Sequence, residues 1–517
     1  MPHRHAATPR GTLLSRLARG AVLLVAAACG TSQAPVTAPR PLTPREQAFL
    51  DTTEHRTFDF FWETTNPLNG LAPDRYPTHS FSSIAAVGFA LTAYPIGVER
   101  GWVTREQAKA RVLGTLRFLW TAPQGSAAAD VTGYKGFFYH FLDMETGHRY
   151  QQVELSTIDS ALLFAGVLFC QSYFGGDDPD ERAIRAYADS IYRRADWHWA
   201  VVRAPRVSMG WTPEQGFSDW DWRGLDEASI LYILALGSPT HPIDSTAWSA
   251  WTSTYRWGSW YGESHVGFAP LFGHQYSQVW LDLRGVRDAY MRERGIDYFE
   301  NSRRATIAQH RYAMENPQGW AGYGATEWGL TASDGPGDFT REIDGRSRTF
   351  FGYAARGASF TEVRDDGTIA PTAAGGSIPF APEITVPALV AMREKYGDQL
   401  YSRYGFLDAF NPTLGASGPT PQGRVVPGVA WFDVDYLGID QGPIVAMIEN
   451  YGSGLVWKYM RENPYIVRGM KRAGFAGGWL DAKSSALDAR DDAAVSHRLS
   501  ALGLRLVHAP RALNAVP

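Results

Sequence analysis

Asp226 and Glu227 are adjacent acids at the entrance of an otherwise apolar run, Ala228-Ser-Ile-Leu-Tyr-Ile-Leu-Ala-Leu-Gly237. One acid at that place is accounted for by capping, because a carboxylate accepts from the free backbone N–H groups of a helix start. A second acid, beside Trp220 and Trp222, is available for proton transfer. The coincidence recurs along the chain. Polar clusters open six apolar stretches: Ser82-Ser83; Glu154 with Ser156, Thr157 and Asp159; Asp226-Glu227; His274-Gln275-Tyr276; Glu383; and Asp440-Gln441. Capping does not call for Glu, His and Gln inside apolar segments, so these side chains are candidates for one shared site.

The loops between the stretches place aromatic rings beside acids and glycines. Gly210-Trp211, Trp220-Asp-Trp222, Trp257-Gly-Ser-Trp260, Glu327-Trp328-Gly329 and Trp431-Phe-Asp433 all read this way. A pyranose has apolar C–H faces and a rim of hydroxyls; aromatic rings take the faces, and carboxylates and amides take the hydroxyls. Acids and aromatics together point to hydrolysis of a glycosidic bond by two carboxylates. His-Glu-x-x-His, Cys-x-x-Cys and Gly-x-Ser-x-Gly are absent from the sequence, and no metal or other cofactor is expected.

In that scheme Glu227 is the expected general acid. Apolar and anionic surroundings keep a carboxyl protonated, and the Trp residues and Asp226 supply both. Asp159 and Glu154 are the candidate bases, and Asp440 is a candidate sugar ligand or base relay. Trp222, Asp226, His274, Gln275, Tyr276, Glu327, Trp328, Glu383, Trp431 and Gln441 are the candidate substrate contacts. Two other readings stand beside this one. A polysaccharide lyase would use His274 and Tyr276, but it would need a basic cleft for uronic acids, and the clusters here are acidic. A glycan-binding protein without activity would use the same Trp platforms.

Positioning six polar clusters at one site requires six helices that start together. The apolar stretches near 82, 156, 226, 274, 383 and 440 read as helices buried on most sides, and more polar ones alternate with them. Thr43-Pro-Arg-Glu46 and Thr104-Arg-Glu-Gln107 are capping boxes that start two of the polar helices, and Asp178-Pro179 starts a third. Residues 133–150 are aromatic and Gly-rich and read as a hairpin or long loop. The expected fold is all-α: an (α/α)6 barrel, a double-layer helical toroid, with irregular loops and short β-hairpins.

The 517 residues are 44% hydrophobic and 20% charged, with 18 Trp and a net charge of −4, which leaves no basic excess to hold nucleic acid. Arg4, Arg10, Arg16 and Arg19 precede the apolar run Ala21–Ala28, the form of an export signal that is too short to span a membrane. The run ends at Cys29, as in a bacterial lipoprotein box. Loss of the leader removes four Arg and no acid and takes the charge to −8. The expected organisation is a signal over 1–28, a Pro-rich tether over 29–42, the barrel over 43–480 and a C-terminal tail over 481–517. The expected location is the periplasm or outer membrane, with contact to the membrane through the lipid anchor alone.

Several runs also carry a resemblance. Asp226-Glu-Ala with Leu234-Ala-Leu-Gly-Ser-Pro-Thr-His241, Phe272-Gly-His-Gln-Tyr-Ser277, Trp328-Gly-Leu-Thr-Ala-Ser-Asp-Gly-Pro336, Gly376-Ser with Phe380-Ala-Pro-Glu383, and Gly438-Ile-Asp-Gln-Gly-Pro443 resemble the glucoamylase-like domain. That domain includes glycoside hydrolase family 144, the β-1,2-glucanases. The resemblance covers roughly residues 45–475. It implies an (α/α)6 barrel, an inverting hydrolase and β-1,2-glucan or its oligosaccharides as substrate, and it adds Asp334 to the candidate substrate contacts. The charged segment Asp338–Arg348 departs from the family pattern and leaves internal versus terminal attack open.

Lipidation at Cys29 predicts that the native protein partitions into detergent and that Cys29→Ser releases it to the soluble fraction. Equal partition of the two forms in a detergent phase separation would contradict the anchor.

Overall fold

The computed structural model describes residues 41–481. The expected signal, Cys29, most of the tether and the tail beyond Asp481 lie outside the described residues. The helices in chain order are α1 (Pro44–Thr64), α2 (Ile84–Glu99), α3 (Arg105–Thr121), α4 (Thr157–Tyr173), α5 (Pro179–Arg194), α6 (Ser229–Gly237), α7 (Thr246–Thr252), α8 (Phe272–Trp280), α9 (Ala289–Arg294), α10 (Tyr298–Glu315), α11 (Pro371–Gly375), α12 (Pro382–Tyr396), α13 (Gly438–Gly452), α14 (Leu455–Met460) and α15 (Pro464–Arg472).

They form an (α/α)6 toroid. The inner ring is α2, α4, α6, α8, α11 and α13, and neighbouring members pack on one another. The α8–α11 step is made by Gln275, whose Nε2 donates to the Ala373 carbonyl at 2.8 Å. Outside the ring, α1, α3, α5, α10 and α12 cover the inner helices, and α7 covers α6 through Trp251 stacked on Tyr232. The layers follow from composition. α2, α4 and α6 are buried along nearly their whole lengths. α5 buries a stripe at Ile184, Ala188 and Ile191, buries Glu181 against Arg105, and turns Arg182 and Arg193 to solvent. The capping boxes at Thr43 and Thr104 both form, and Asp178 accepts from the backbone N–H groups of Asp180 and Glu181.

Two expectations are corrected here. The fifth inner helix is α11, not the helix that begins near Glu383. α11 has five residues, too few to show a helical period, whereas α12 carries an exposed basic end and lies in the outer layer. The helix after Asp226-Glu227 begins at Ser229 with Ala228 as its N-cap, and Ser277 Oγ of α8 accepts from its Ile230 N–H at 2.9 Å, so both acids lie in the turn that precedes it.

The axis of the ring is filled. Phe89 of α2 stacks on Trp280 of α8 across it, with centroids 5.0 Å apart, and Trp280 Nε1 donates to Thr92 Oγ1 at 3.0 Å. Glycine makes the α2–α4 step close: a Cβ on Gly166 would lie 2.1 Å from the Gly88 carbonyl oxygen. At one end α14 packs against α4, α8 and α13, and Trp457 Nε1 donates to the Gln278 carbonyl at 2.7 Å. The other end is where the inner helices begin. Two-residue strands lead into them there: Ser82–Ser83 pairs with Phe141–Leu142, Leu155–Ser156 with Gly210–Trp211, and Tyr436–Leu437 with Arg75–Tyr76.

Candidate active site

A cavity of about 250 Å³ opens at this end of the ring, lined by His140, Glu154, Asp159, Trp222, Glu227, Phe272, Tyr276, Tyr353 and Ile439 among others. Three of the four expected catalytic carboxyls are thereby brought together. Asp159 stands in the first turn of α4, where Ser156 caps the helix and also donates its hydroxyl to Asp159 Oδ2. Glu154 precedes the strand that leads into α4. Glu227 is held by its own peptide group, whose carbonyl accepts from Ser277 Oγ of α8 at 2.6 Å. Trp222 forms a wall and fixes its ring by donating from Nε1 to Thr157 Oγ1 at 3.0 Å. It is only 4% exposed, so packing is part of its role.

The electrostatics separate the acids. Burial pushes the Glu227 carboxyl up to about 7, and the nearby Asp159 charge adds to the rise. Burial acts on Glu154 in the same sense, but the hydrogen bond and charge of His140 outweigh it and hold Glu154 below its ordinary range. His140 was not expected from the sequence. Its Nδ1 lies 2.8 Å from Glu154 Oε1 and its Nε2 lies 3.5 Å from Asp159 Oδ2.

Asp440, the fourth expected catalytic acid, belongs to a second acidic group around Asp334. Burial raises the Asp440 carboxyl to about 7, against hydrogen bonds with Asp408 and Tyr276. Tyr276 Oη lies 3.3 Å from Asp440 Oδ1 and joins this group to the cavity wall. Asp408 Oδ2 accepts from the Asp334 backbone N–H at 2.7 Å, and Arg75 Nη1 lies 2.5 Å from Asp334 Oδ2. Asp334, Asp433 and Asp435 bring carboxylate oxygens within 4.8 Å of one another, a set able to hold a cation. Arg75 already supplies positive charge there.

The other expected contacts are held in structural roles. Asp226 turns inward and accepts from the Ala228 N–H at 2.9 Å. His274 is buried with Nε2 3.1 Å from the Phe268 carbonyl oxygen, and burial lowers its ring to about 3, so it is a neutral core residue. Gln275 ties α8 to α11, and Gln441 Nε2 donates to the Phe406 carbonyl at 2.9 Å. Consecutive residues on a helix point about 100° apart, so of His274, Gln275 and Tyr276 one faces the cavity. Glu327 pairs with Lys395 and with Tyr396 Oη on α12. Glu383 pairs with Arg303 Nη2 at 2.6 Å. Trp328 is fully buried against His310, and Trp431 is fully buried with Nε1 donating to the Gln422 carbonyl at 2.7 Å.

A second cleft, of about 530 Å³, adjoins the cavity and shares Glu154 and Met209 with it. Trp211, Phe217 and Trp220 line this cleft, carried by the Gly210–Thr212 and Gly216–Phe217 hairpin and its exit. Trp220 is 72% exposed, which leaves its face free to stack. A half-enclosed acidic cavity extended by aromatic rings suits a chain of sugar units.

Comparison with known proteins points the same way. Residues 219–464 match the family model described as "Putative glucoamylase". The exo β-1,2-glucooligosaccharide sophorohydrolase (non-reducing end) of Parabacteroides distasonis is 29% identical in an alignment 466 residues long that covers 84% of this chain. The chain spans 58% of that protein's length. A crystal structure of a "putative glucoamylase" from Bacteroides uniformis is 33% identical with a TM-score of 0.71, over 85% of this chain and 100% of that one. The endo-β-1,2-glucanase of Chitinophaga pinensis, solved with sophorotriose and glucose, is 28% identical with a TM-score of 0.71, over 85% of this chain and 100% of that one.

Glu227 makes stability depend on pH. Its folded value near 7 lies above the ordinary glutamate value, so the native state binds this proton more tightly than the unfolded chain does. Stability from this group is full below the unfolded value and is lost as pH rises through the folded one. Glu227→Gln is therefore expected to raise the melting temperature at pH 8 by roughly 2 °C or more and to leave it nearly unchanged at pH 4. The same increment at both pH values in thermal melts would contradict the assignment.

Proposed function

This chain belongs to the glucoamylase-like family, and from that membership and the carboxyls of its cavity we propose a glycoside hydrolase that cleaves β-1,2-glucan or its oligosaccharides. One observation carries the chemistry. A carboxyl raised to about 7 faces the same cavity as a carboxyl held below its ordinary range. Separated values of this kind are what a general acid and a general base require at one pH. The substrate class is supported by the sophorohydrolase of Parabacteroides distasonis and by the Chitinophaga pinensis glucanase solved with sophorotriose.

In this reading Glu227 donates its proton to the glycosidic oxygen as the bond to the anomeric carbon breaks. Glu154 or Asp159 takes a proton from the water that attacks the opposite face, and the product inverts. Trp222, Phe272 and Tyr276 wall the reacting sugar, Asp440 takes hydroxyls beyond Tyr276, and the Trp211 and Trp220 rings carry further units of the chain. The Arg-rich leader and Cys29 support an exported, lipid-anchored enzyme that meets glucan outside the cytoplasm.

The expected activity is release of reducing ends from β-1,2-glucan and not from β-1,3-, β-1,4- or α-linked glucans, with the α-anomer as first product by NMR. Glu227→Gln keeps the shape and removes the donor. It should lower the rate by about 10²-fold or more while oligosaccharide binding remains. Net retention, or a fully active Glu227→Gln, would overturn this mechanism.

A further inference from the structure

We propose that His140 is a positioning residue: its imidazolium lies between Glu154 and Asp159, holds Glu154 as the carboxylate, and thereby leaves Glu227 as the acid of the cavity that carries the proton. The inference rests on the hydrolase reading for its consequence and on geometry for its substance. Nδ1 of His140 lies 2.8 Å from Glu154 Oε1, and Nε2 lies 3.5 Å from Asp159 Oδ2. A neutral imidazole has one N–H and one bare nitrogen, and a bare nitrogen facing a carboxylate would be repelled. Each nitrogen faces a carboxylate favourably when both carry hydrogen, which is the charged form: Nδ1 is within hydrogen-bond reach of Glu154 and Nε2 within ion-pair reach of Asp159.

The backbone leaves the ring little choice of place. The His140 N–H donates to the Glu154 carbonyl at 2.9 Å, and its own carbonyl accepts from Ile84, the first residue of α2, at 3.2 Å. The ring lies on Phe141, with centroids 3.9 Å apart and planes 23° from parallel. The residue thus joins two inner helices, α2 and α4, at the rim of the cavity.

The charged groups facing it come from three directions. Glu154 approaches from the loop before α4, Asp159 from the first turn of α4, and Asp74 from the turn before the Arg75–Tyr76 strand. Asp74 is in turn paired with Arg75 Nε at 3.2 Å, and Glu154 also feels Arg149. Burial would lower the His140 ring, but Asp159, Glu154 and Asp74 outweigh it and raise it to about 9. Asp159 is the acid whose charge reaches Glu227 across the cavity. Removing the imidazolium therefore leaves uncompensated negative charge in the cavity, and Glu154 and Glu227 are each expected to hold a proton more tightly.

The test compares wild type, His140→Gln and His140→Lys on a β-1,2-glucooligosaccharide, with melting curves to confirm folding. His140→Gln is expected to shift the acid limb of the kcat/KM profile upward by about one pH unit or more. The loss of about tenfold or more at the acid end should shrink as pH rises. His140→Lys, which keeps a cation, should leave the acid limb within about half a unit of wild type. A His140→Gln profile lowered uniformly, with both limbs in place, would assign His140 to structure alone and overturn the proposal. The imidazole 13Cε1 resonance, assigned by its absence from His140→Gln, reads the same claim without any turnover. It should keep the imidazolium shift through pH 8; titration near the ordinary value of about 6.5 would contradict the proposal even in a protein that cuts no glucan.

Discussion

The site depends on the contact between Phe89 and Trp280 across the axis of the inner ring. Two large rings from opposite helices fill the centre, and α14 packs against the inner helices at the end away from the cavity. What remains open is the end where the inner helices begin, which is also where their free N–H groups and their polar leading residues collect. The cavity is therefore a consequence of how the axis is packed. The Gly88–Gly166 approach serves the same end, because it draws α2 and α4 close enough for His140, Glu154 and Asp159 to meet at one rim.

A cavity built this way gathers acids, and a burial that raises every carboxyl would leave no base. The structure answers with few cations, each tied to particular acids. His140 lies between Glu154 and Asp159, and Arg75 lies against Asp334 and Asp74. Among the described residues no cation is paired with Glu227, and burial raises it to about 7. Two carboxyls within one cavity thus acquire opposite tendencies through their neighbours and not through their residue type. The burial of Glu227 is unfavourable for the fold, as a trade of stability for the proposed function would require.

Much of this was legible in the sequence where the signal is local. Thr43, Thr104 and Asp178 cap helices because capping needs three or four consecutive residues. Glu154, Asp159, Glu227 and Tyr276, which line the cavity, stand out in the sequence because they lie at or near the starts of apolar helices. His140, Arg75 and Asp408 lie on short strands and turns, and their places are set by pairings with residues distant in the chain, such as Ser83 with Phe141. No period announces them. The short helix Pro371–Gly375 escaped for a related reason, since five residues do not complete two turns. A polar cluster in the sequence does not say which of its residues face the cavity. His274, Gln275 and Gln441 share helix starts with cavity residues and yet tie the inner helices to their neighbours. Trp328 and Trp431 show the same for the loops, where a buried ring and an exposed platform such as Trp220 have the same sequence signature.

The central claim is that Glu227 meets the glycosidic oxygen. A crystal structure of the Glu227→Gln variant soaked with a β-1,2-linked glucooligosaccharide tests it directly. The account predicts a glycosidic oxygen within about 2.6–3.2 Å of the side-chain amide at position 227, with the sugar on the far side reaching toward Glu154 and Trp220. An oligosaccharide ordered in the cavity with its nearest glycosidic oxygen beside Asp440 or Asp334, out of reach of residue 227, would contradict it.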